Sequence, residues 1–177
     1  MLITEEYRKL NNQLHETNPG YGTSGHKWKI HVVSLAEAVG TDTILDYGCG
    51  KQTLKQAIEL DQNNSLKING YDPAITELSA TPEPHDMVVC GDVLEHIEPD
   101  CLDSVLKDLW RVTRKIGMFI VATRPAKKIL ADGRNAHLIQ QPLSWWTEKL
   151  NEHFIVLDSQ DFGGEFMVVV KPRFARG

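Results

Sequence analysis

Ile44-Leu45-Asp46-Tyr47-Gly48-Cys49-Gly50-Lys51 is a short apolar strand that runs into an acidic residue and then a glycine turn. The run Leu54 to Leu60 behind it has helical spacing, so the whole reads as strand, tight turn and helix start. Turn glycines let backbone amides approach a ligand, and the helix N-terminus adds partial positive charge. A dinucleotide site would continue as G-x-G-x-x-G to seat a pyrophosphate. Here Gly48-Cys49-Gly50 runs on into Lys51-Gln52-Thr53 with no third glycine, and Asp46 stands where a carboxylate repels phosphate and favours an ammonium group. The unit therefore points to a zwitterionic ligand and away from a dinucleotide.

Two more strand ends follow at suitable distances. Tyr71-Asp72-Pro73 closes the apolar run Leu66 to Tyr71, and Asp86 to Ile97 carries a buried-strand pattern, Met87 to Cys90, into Gly91-Asp92-Val93-Leu94-Glu95-His96. Taken with Leu45 to Gly50, these stretches resemble the first, second and fourth motifs of the class I S-adenosylmethionine-dependent methyltransferases, in the form with Leu-Glu-His after the fourth strand. The resemblance implies an α/β fold: a Rossmann-like, doubly wound, mostly parallel sheet in three αβα layers, ending in an antiparallel hairpin. It implies S-adenosyl-L-methionine as cofactor, contacted at Asp46, Tyr47, Gly48, Cys49, Gly50, Asp72, Pro73, Gly91, Asp92 and Val93. Apart from the resemblance, a carboxylate after the second strand can accept hydrogen bonds from two adjacent ribose hydroxyls; the alternative is that Asp72-Pro73 only starts a turn.

Two departures stand out. Gln52 occupies a position where the family often has glycine, and the segment Pro73 to His85, with prolines at 73, 82 and 84, is too short for a helix, a third strand and another helix. The third-strand region is therefore expected to be shortened and the usual acidic partner of adenine to be missing.

The chain has 177 residues and a formal net charge of −5 at pH 7, consistent with one globular domain and no general basic field for nucleic acid. Its three cysteines, Cys49, Cys90 and Cys101, form no C-x-x-C pair, so neither a disulfide framework nor a cysteine metal site is expected, and no metal ligands are assigned. No long apolar run or signal-like start is present, which suggests a cytoplasmic protein with no membrane partner. Nothing in the sequence specifies an oligomeric state.

Residues 1–40 read as an N-terminal helical cap on a domain spanning 41–177, with helices over Glu5 to Glu16 (Tyr7, Leu10, Leu14) and Trp28 to Val39 (Ile30, Val33, Leu35, Val39). The link Thr17 to Gly25 is dense in turn residues. In the family such a segment folds over the cofactor, making Tyr21 and Gly25 cofactor candidates and Tyr21 and His26 substrate candidates; the alternative is a plain interhelical connection. Beyond the fourth motif, Glu98 to Lys115 has an amphipathic helical pattern with Gly117 past its end, and Ile116 to Ala122 is a buried strand pattern. The connection Ala126 to Gln141, the helix Pro142 to Leu150 and a hairpin of Phe154 to Leu157 with Phe166 to Val170 complete the chain.

His96, with Glu95 beside it and His137 later, is the candidate for a general base or substrate-orienting group, since imidazole titrates near neutrality. The alternative makes Glu95 and His96 supports beneath the cofactor loop. Arg124, Arg134 and His137 are candidate acceptor contacts, or simply solvated loop charges. Trp145 and Trp146 cannot face the same way, so Trp145 can line an aromatic pocket while Trp146 packs in the core, or the reverse.

Three functions fit. The first is methyl transfer to oxygen or nitrogen of a small-molecule acceptor by direct displacement. The second is metal-assisted RNA ribose 2′-O-methylation, because Asp92-x-x-Glu95-His96 with His137 is similar to the magnesium site of small-RNA methyltransferases, although the acidic composition and Asp in place of Glu count against it. The third is a noncatalytic cofactor-binding or partner subunit.

Overall fold

The computed structural model describes residues 1–61 and 65–174. Its helices are α1 (Glu5–Thr17), α2 (Lys29–Val39), α3 (Thr53–Glu59), α4 (Leu102–Val112) and α5 (Leu143–Leu150). Its strands are β1 (Thr43–Tyr47), β2 (Lys67–Tyr71), β3 (His85–Gly91), β4 (Thr113–Ala122), β5 (Phe154–Asp161) and β6 (Glu165–Pro172). The sheet order is β2-β1-β3-β4-β6-β5. Pairing is parallel from β2 through β4 and antiparallel at β4–β6 and β6–β5.

Side chains alternate across a strand, and the two faces of β1 and β3 feed two separate cores. Leu45, Tyr47, Val88 and Cys90 pack with Val105, Leu106 and Leu109 of α4 and with Trp146 and Leu150 of α5. Ile44, Met87 and Val89 pack on the other face with Val32 and Ala36 of α2 and Leu54 and Ile58 of α3. This is why the central strands read as continuous apolar runs: both faces are covered.

The expected three-layer, mostly parallel sheet with a C-terminal antiparallel pair is present, and so is the shortened third-strand region. Between β2 and β3 lies only a 3-10 turn at Thr76–Leu78, which leaves β2 at the sheet edge.

Several local expectations change. In α2 the fully buried residues are Val32 and Ala36, with Val33, Leu35 and Val39 packed half-buried beside them, whereas Ile30 is 75% exposed. Small and β-branched side chains let α2 lie close on the sheet. Residues 1–40 thus hold two differently placed helices, with α2 inside a layer and α1 outside it. Helix α4 is preceded by a separate 3-10 turn, Pro99–Cys101, and stops at Val112; Thr113 to Lys115 already belong to β4. The stop lies at β-branched Thr113, whose backbone is extended and whose hydroxyl donates back to the Leu109 carbonyl at 2.6 Å. Gly117 is accordingly not a helix stop but a strand residue, where a Cβ would come within 2.9 Å of the Phe119 ring and Val170. All three cysteines are buried and free. No helix among the described residues is long and apolar enough to cross a membrane.

Candidate active site

Strand order reverses direction between β1 and β3, and ligands of open α/β sheets bind outside the carboxyl ends of strands at such a point. A cavity of about 460 Å³ opens there. Its floor is backbone. Gly48 (φ 79°) and Gly50 (φ 48°) are left-handed, and so is Gln52 (φ 56°). The residue that departs from the glycine pattern therefore keeps the conformation that glycine adopts most easily. A Cβ on Gly48 would lie 2.3 Å from Val93 Cγ2, and one on Gly50 would lie 2.8 Å from the Gly22 Cα, so only glycine lets the turn sit this close to both neighbours.

Asp72, 7% exposed, ties β2 to this turn. Its Oδ2 accepts from the Gly50 amide at 3.1 Å and its Oδ1 from the Ala74 amide at 2.9 Å. A carboxylate has about four acceptor sites, so each oxygen retains capacity toward the cavity. The turn role expected as the alternative is thus real, and it leaves room for the ribose role. Asp46 also lines the cavity; burial, and then the charge of Asp72, push its carboxyl up to about 7.

Residues 18–28 roof the cavity. The Lys51 amide donates to the Gly22 carbonyl at 2.9 Å, and Lys51 Nζ donates to the carbonyls of Asn18 and Pro19 at 2.9 and 3.1 Å. Lys128 reaches over from the opposite wall, donating to the Gly20 carbonyl at 2.8 Å with its ammonium 4.8 Å from the Tyr21 ring centre. Tyr21 is buried and donates its hydroxyl to Asn11 Oδ1 at 2.8 Å. Helix α1 is anchored by Thr4, which gives its amide and its hydroxyl to the Glu98 carboxylate at 2.9 and 2.8 Å.

At the far wall β3 is followed by Asp92, a non-glycine residue at φ 56°, and then by the 3-10 turn Leu94–His96. Glu95 is fully buried; its Oε1 accepts from the Ala122 amide at 2.9 Å. Burial, and then Asp92, push its carboxyl up to about 8. His96 lies edge-on to His137, ring centres 4.7 Å apart. Its Nδ1 donates to the Ala136 carbonyl at 2.7 Å, and that of His137 donates to the Arg124 carbonyl at 2.6 Å. Burial, with the neighbouring His137, holds His96 down at about 3, and burial lowers His137 as well. Both rings are therefore neutral at pH 7 with lone pairs on Nε2.

The residues expected from the sequence converge on this cavity with three exceptions. Gly48, Cys49, Gly50, Asp72, Pro73, Gly91, Asp92, Val93, Gly25, Tyr21, His26, Arg124, His96 and His137 line it, with Glu95 buried just behind. The Tyr47 side chain faces the other core, donating its hydroxyl to Asp108 at 2.9 Å, because β1 alternates. Arg134 turns outward, paired with Asp132 at 2.6 Å and stacked over Tyr7. Trp145 lines a separate cavity of about 290 Å³ near Leu106 and Ile139, while Trp146 is wholly buried in the core.

Lining residues that the sequence reading did not single out include Tyr7, Asn11, His15, Trp28 and Lys128. Tyr7, Asn11 and His15 recur every fourth residue, so a polar stripe on one face of α1 was the available signal. His15 lies 4.0 Å from Asp72 Oδ2 and edge-on to Tyr21. Burial lowers its pKa against the pull of Asp72.

No protein-family model matches the sequence, and no curated protein matches it either. Solved structures do. The 1,6-didemethyltoxoflavin-N1-methyltransferase of Burkholderia thailandensis, solved with its substrate and S-adenosylhomocysteine, superposes with a TM-score of 0.66 at 14% identity, covering 96% of this chain and 90% of that one. The chain has the class I methyltransferase fold. Magnesium protoporphyrin IX methyltransferase of Synechocystis PCC 6803, with S-adenosylmethionine bound, matches with a TM-score of 0.63 at 14% identity over 94% of this chain and 97% of that one. At this identity the likeness is one of fold.

Proposed function

We propose that the chain is an S-adenosylmethionine-dependent methyltransferase acting on oxygen or nitrogen of a small-molecule acceptor. The observation that carries this reading is one cavity with two unlike walls: a glycine and carboxylate floor at the ends of β1 and β2, and a pair of neutral imidazoles, His96 after β3 and His137 in the connection after β4. The volume falls within the range of about 300 to 1,000 Å³ usual for small-ligand sites. The fold neighbours solved with S-adenosylmethionine or S-adenosylhomocysteine support the cofactor.

The floor suits that cofactor. Gly48 and Gly50 admit it against the backbone, Asp72 offers two acceptor oxygens to vicinal hydroxyls, and Asp46 offers a carboxylate to an ammonium group. When bound, S-adenosylmethionine would supply an activated methyl group for an acceptor lone pair. The protein's part is alignment and exclusion of water, which the Lys51 and Lys128 latches on the roof provide. His96 and His137 present Nε2 lone pairs that accept the N–H or O–H of an acceptor arriving protonated.

The test is transfer of labelled methyl from S-adenosylmethionine to a panel of small hydroxyl and amine acceptors, with RNA as a further arm. Turnover of a small acceptor that falls at least about a hundredfold in His96→Ala is expected. Transfer confined to RNA would overturn the acceptor class, and cofactor binding without any transfer would replace the enzyme by a noncatalytic subunit.

A further inference from the structure

Trp28 buries a hydrogen-bond donor that the chain leaves unused. The residue is 7% exposed, and its indole Nε1 has no partner among the described residues. An indole N–H can only donate, and a buried donor left unpaired is costly unless something outside the chain accepts from it. The pyrrole edge of the ring is turned toward the last residue of β3: Cδ1, the atom bonded to Nε1, would lie 3.8 Å from a Cβ on Gly91. Both residues line the main cavity.

Cations gather at the same end, and the β5–β6 turn ties them to the indole. Phe162 packs against Trp28 with ring centres 5.7 Å apart, while the Gly164 carbonyl, two residues on, accepts from Arg124 Nη1 at 3.1 Å. That bond uses one of five guanidinium N–H donors, and the Glu165 carboxylate stands off at 3.7 Å from Nη2, so the rest of the fork stays available. Lys27 and Lys127 also line the cavity, and their ammonium groups have no ion-pair partner among the described residues. The carboxylate of Asp92 bears instead on Glu95 and His137.

We propose that the acceptor carries a carboxylate or phosphate group, held between the Trp28 indole and the Arg124 guanidinium, with Lys27 and Lys127 adding positive charge at the mouth. The substrate class rests on the methyl-transfer reading, whereas the anion site does not. Handle and reacting atom take different walls. His96 and His137 turn Nε2 lone pairs into the cavity, which accept from a hydroxyl or amine and repel an anion, so an anionic group is directed to the N–H donors of Trp28 and Arg124. A small anion suits the site better than a nucleic acid, because the formal net charge of the whole chain is −5 and a long polyanion would meet acidic surface beyond the mouth.

The experiment titrates the full-length protein, with and without S-adenosylhomocysteine, with phenyl phosphate, benzoate and uncharged benzamide, followed by calorimetry. The same titrations are run on Arg124→Gln and Trp28→Phe, with thermal melts to verify folding. One equivalent of each anion is expected to bind, at least about tenfold more tightly than benzamide, with affinity reduced about tenfold in Arg124→Gln and about fivefold in Trp28→Phe. Arg124 is exposed, and its replacement keeps the backbone carbonyl that holds His137, so Arg124→Gln carries the test if Trp28→Phe fails to fold. Absence of anion binding, benzamide bound as tightly as benzoate, or anion affinity untouched by Arg124→Gln would overturn the site. A single-stranded RNA oligonucleotide bound more tightly than phenyl phosphate, and weakened by the same substitutions, would overturn the small acceptor in favour of RNA. Methyl transfer with no preference for anionic acceptors would sink this inference alone, and anion binding lost in Arg124→Gln with no methyl transfer to any acceptor would sink the methyl-transfer reading alone.

Discussion

On the floor of the cavity, Gly48, Gly50 and Gly91 present backbone at the ends of strands whose cores are closed on both faces. On the opposite wall and roof, Tyr21, His96, Lys128 and His137 present side chains, drawn from segments far apart in the chain and held by hydrogen bonds to loop carbonyls and one side-chain amide. At Gly48 and Gly50 the first arrangement tolerates almost no change of residue, because a single Cβ there meets atoms within 3 Å. The second can be altered one side chain at a time. A ligand held by backbone demands glycine, and a ligand held by side chains demands only that some loop deliver them.

The largest expected effect is at Gly48. Gly48→Ala drives a Cβ to 2.3 Å from Val93 Cγ2 at a φ of 79°, and S-adenosylhomocysteine binding is expected to fall below detection. Gly48→Ala with Val93→Ala removes the two methyl contacts at 2.3 and 3.0 Å and leaves the Val93 Cβ at 3.2 Å with backbone strain of about 1 to 2 kcal/mol, so calorimetry should recover measurable affinity. Failure to recover any would mean that the floor excludes side chains for a reason other than Val93.

Next comes pH. The carboxyl of Asp46 sits at about 7 in the free protein, raised by burial and then by Asp72, so it is largely protonated below that value. An ammonium ligand needs it ionised. Affinity for S-adenosylhomocysteine is therefore expected to weaken as pH drops below about 7, by at most tenfold per unit, and to be weaker but flat in Asp46→Asn. A profile equally steep in Asp46→Asn would assign the titration elsewhere.

A smaller effect is expected at the roof. Lys128→Ala removes the bond to the Gly20 carbonyl and the cation over Tyr21, which should speed hydrogen exchange in residues 18–25 and cost about 1 kcal/mol of cofactor affinity. Unchanged exchange would show that the Lys51 latch suffices. Arg134→Ala should do least, within about 0.5 kcal/mol on both folding and binding, because that side chain is exposed and directed away from the cavity.

The same contrast explains what could be read from the chain. The floor was legible because its physical demands leave residue types behind: buried strands such as Met87 to Cys90 must be apolar throughout, Gly48 must lack a Cβ, and Asp72 must follow β2. Tyr47 misled because a motif names positions, while strand alternation decides which way each side chain points. The wall was legible only where a motif happened to end, at Glu95 and His96. His15 and Asn11 left a faint four-residue stripe on α1, and Lys128 left none, since a latch to a carbonyl asks only for a long cation near the right loop. Arg134 and Trp145 show the converse, that charge or aromaticity in a loop does not fix direction.

Calorimetric titration of the wild-type chain and of Asp72→Ala with S-adenosylhomocysteine measures the floor itself. Micromolar binding at one equivalent, weakened by about 1 to 3 kcal/mol when the buried carboxylate is lost, is expected. No heat of binding to the wild-type chain would contradict the cofactor reading and leave the cavity to a ligand of different chemistry.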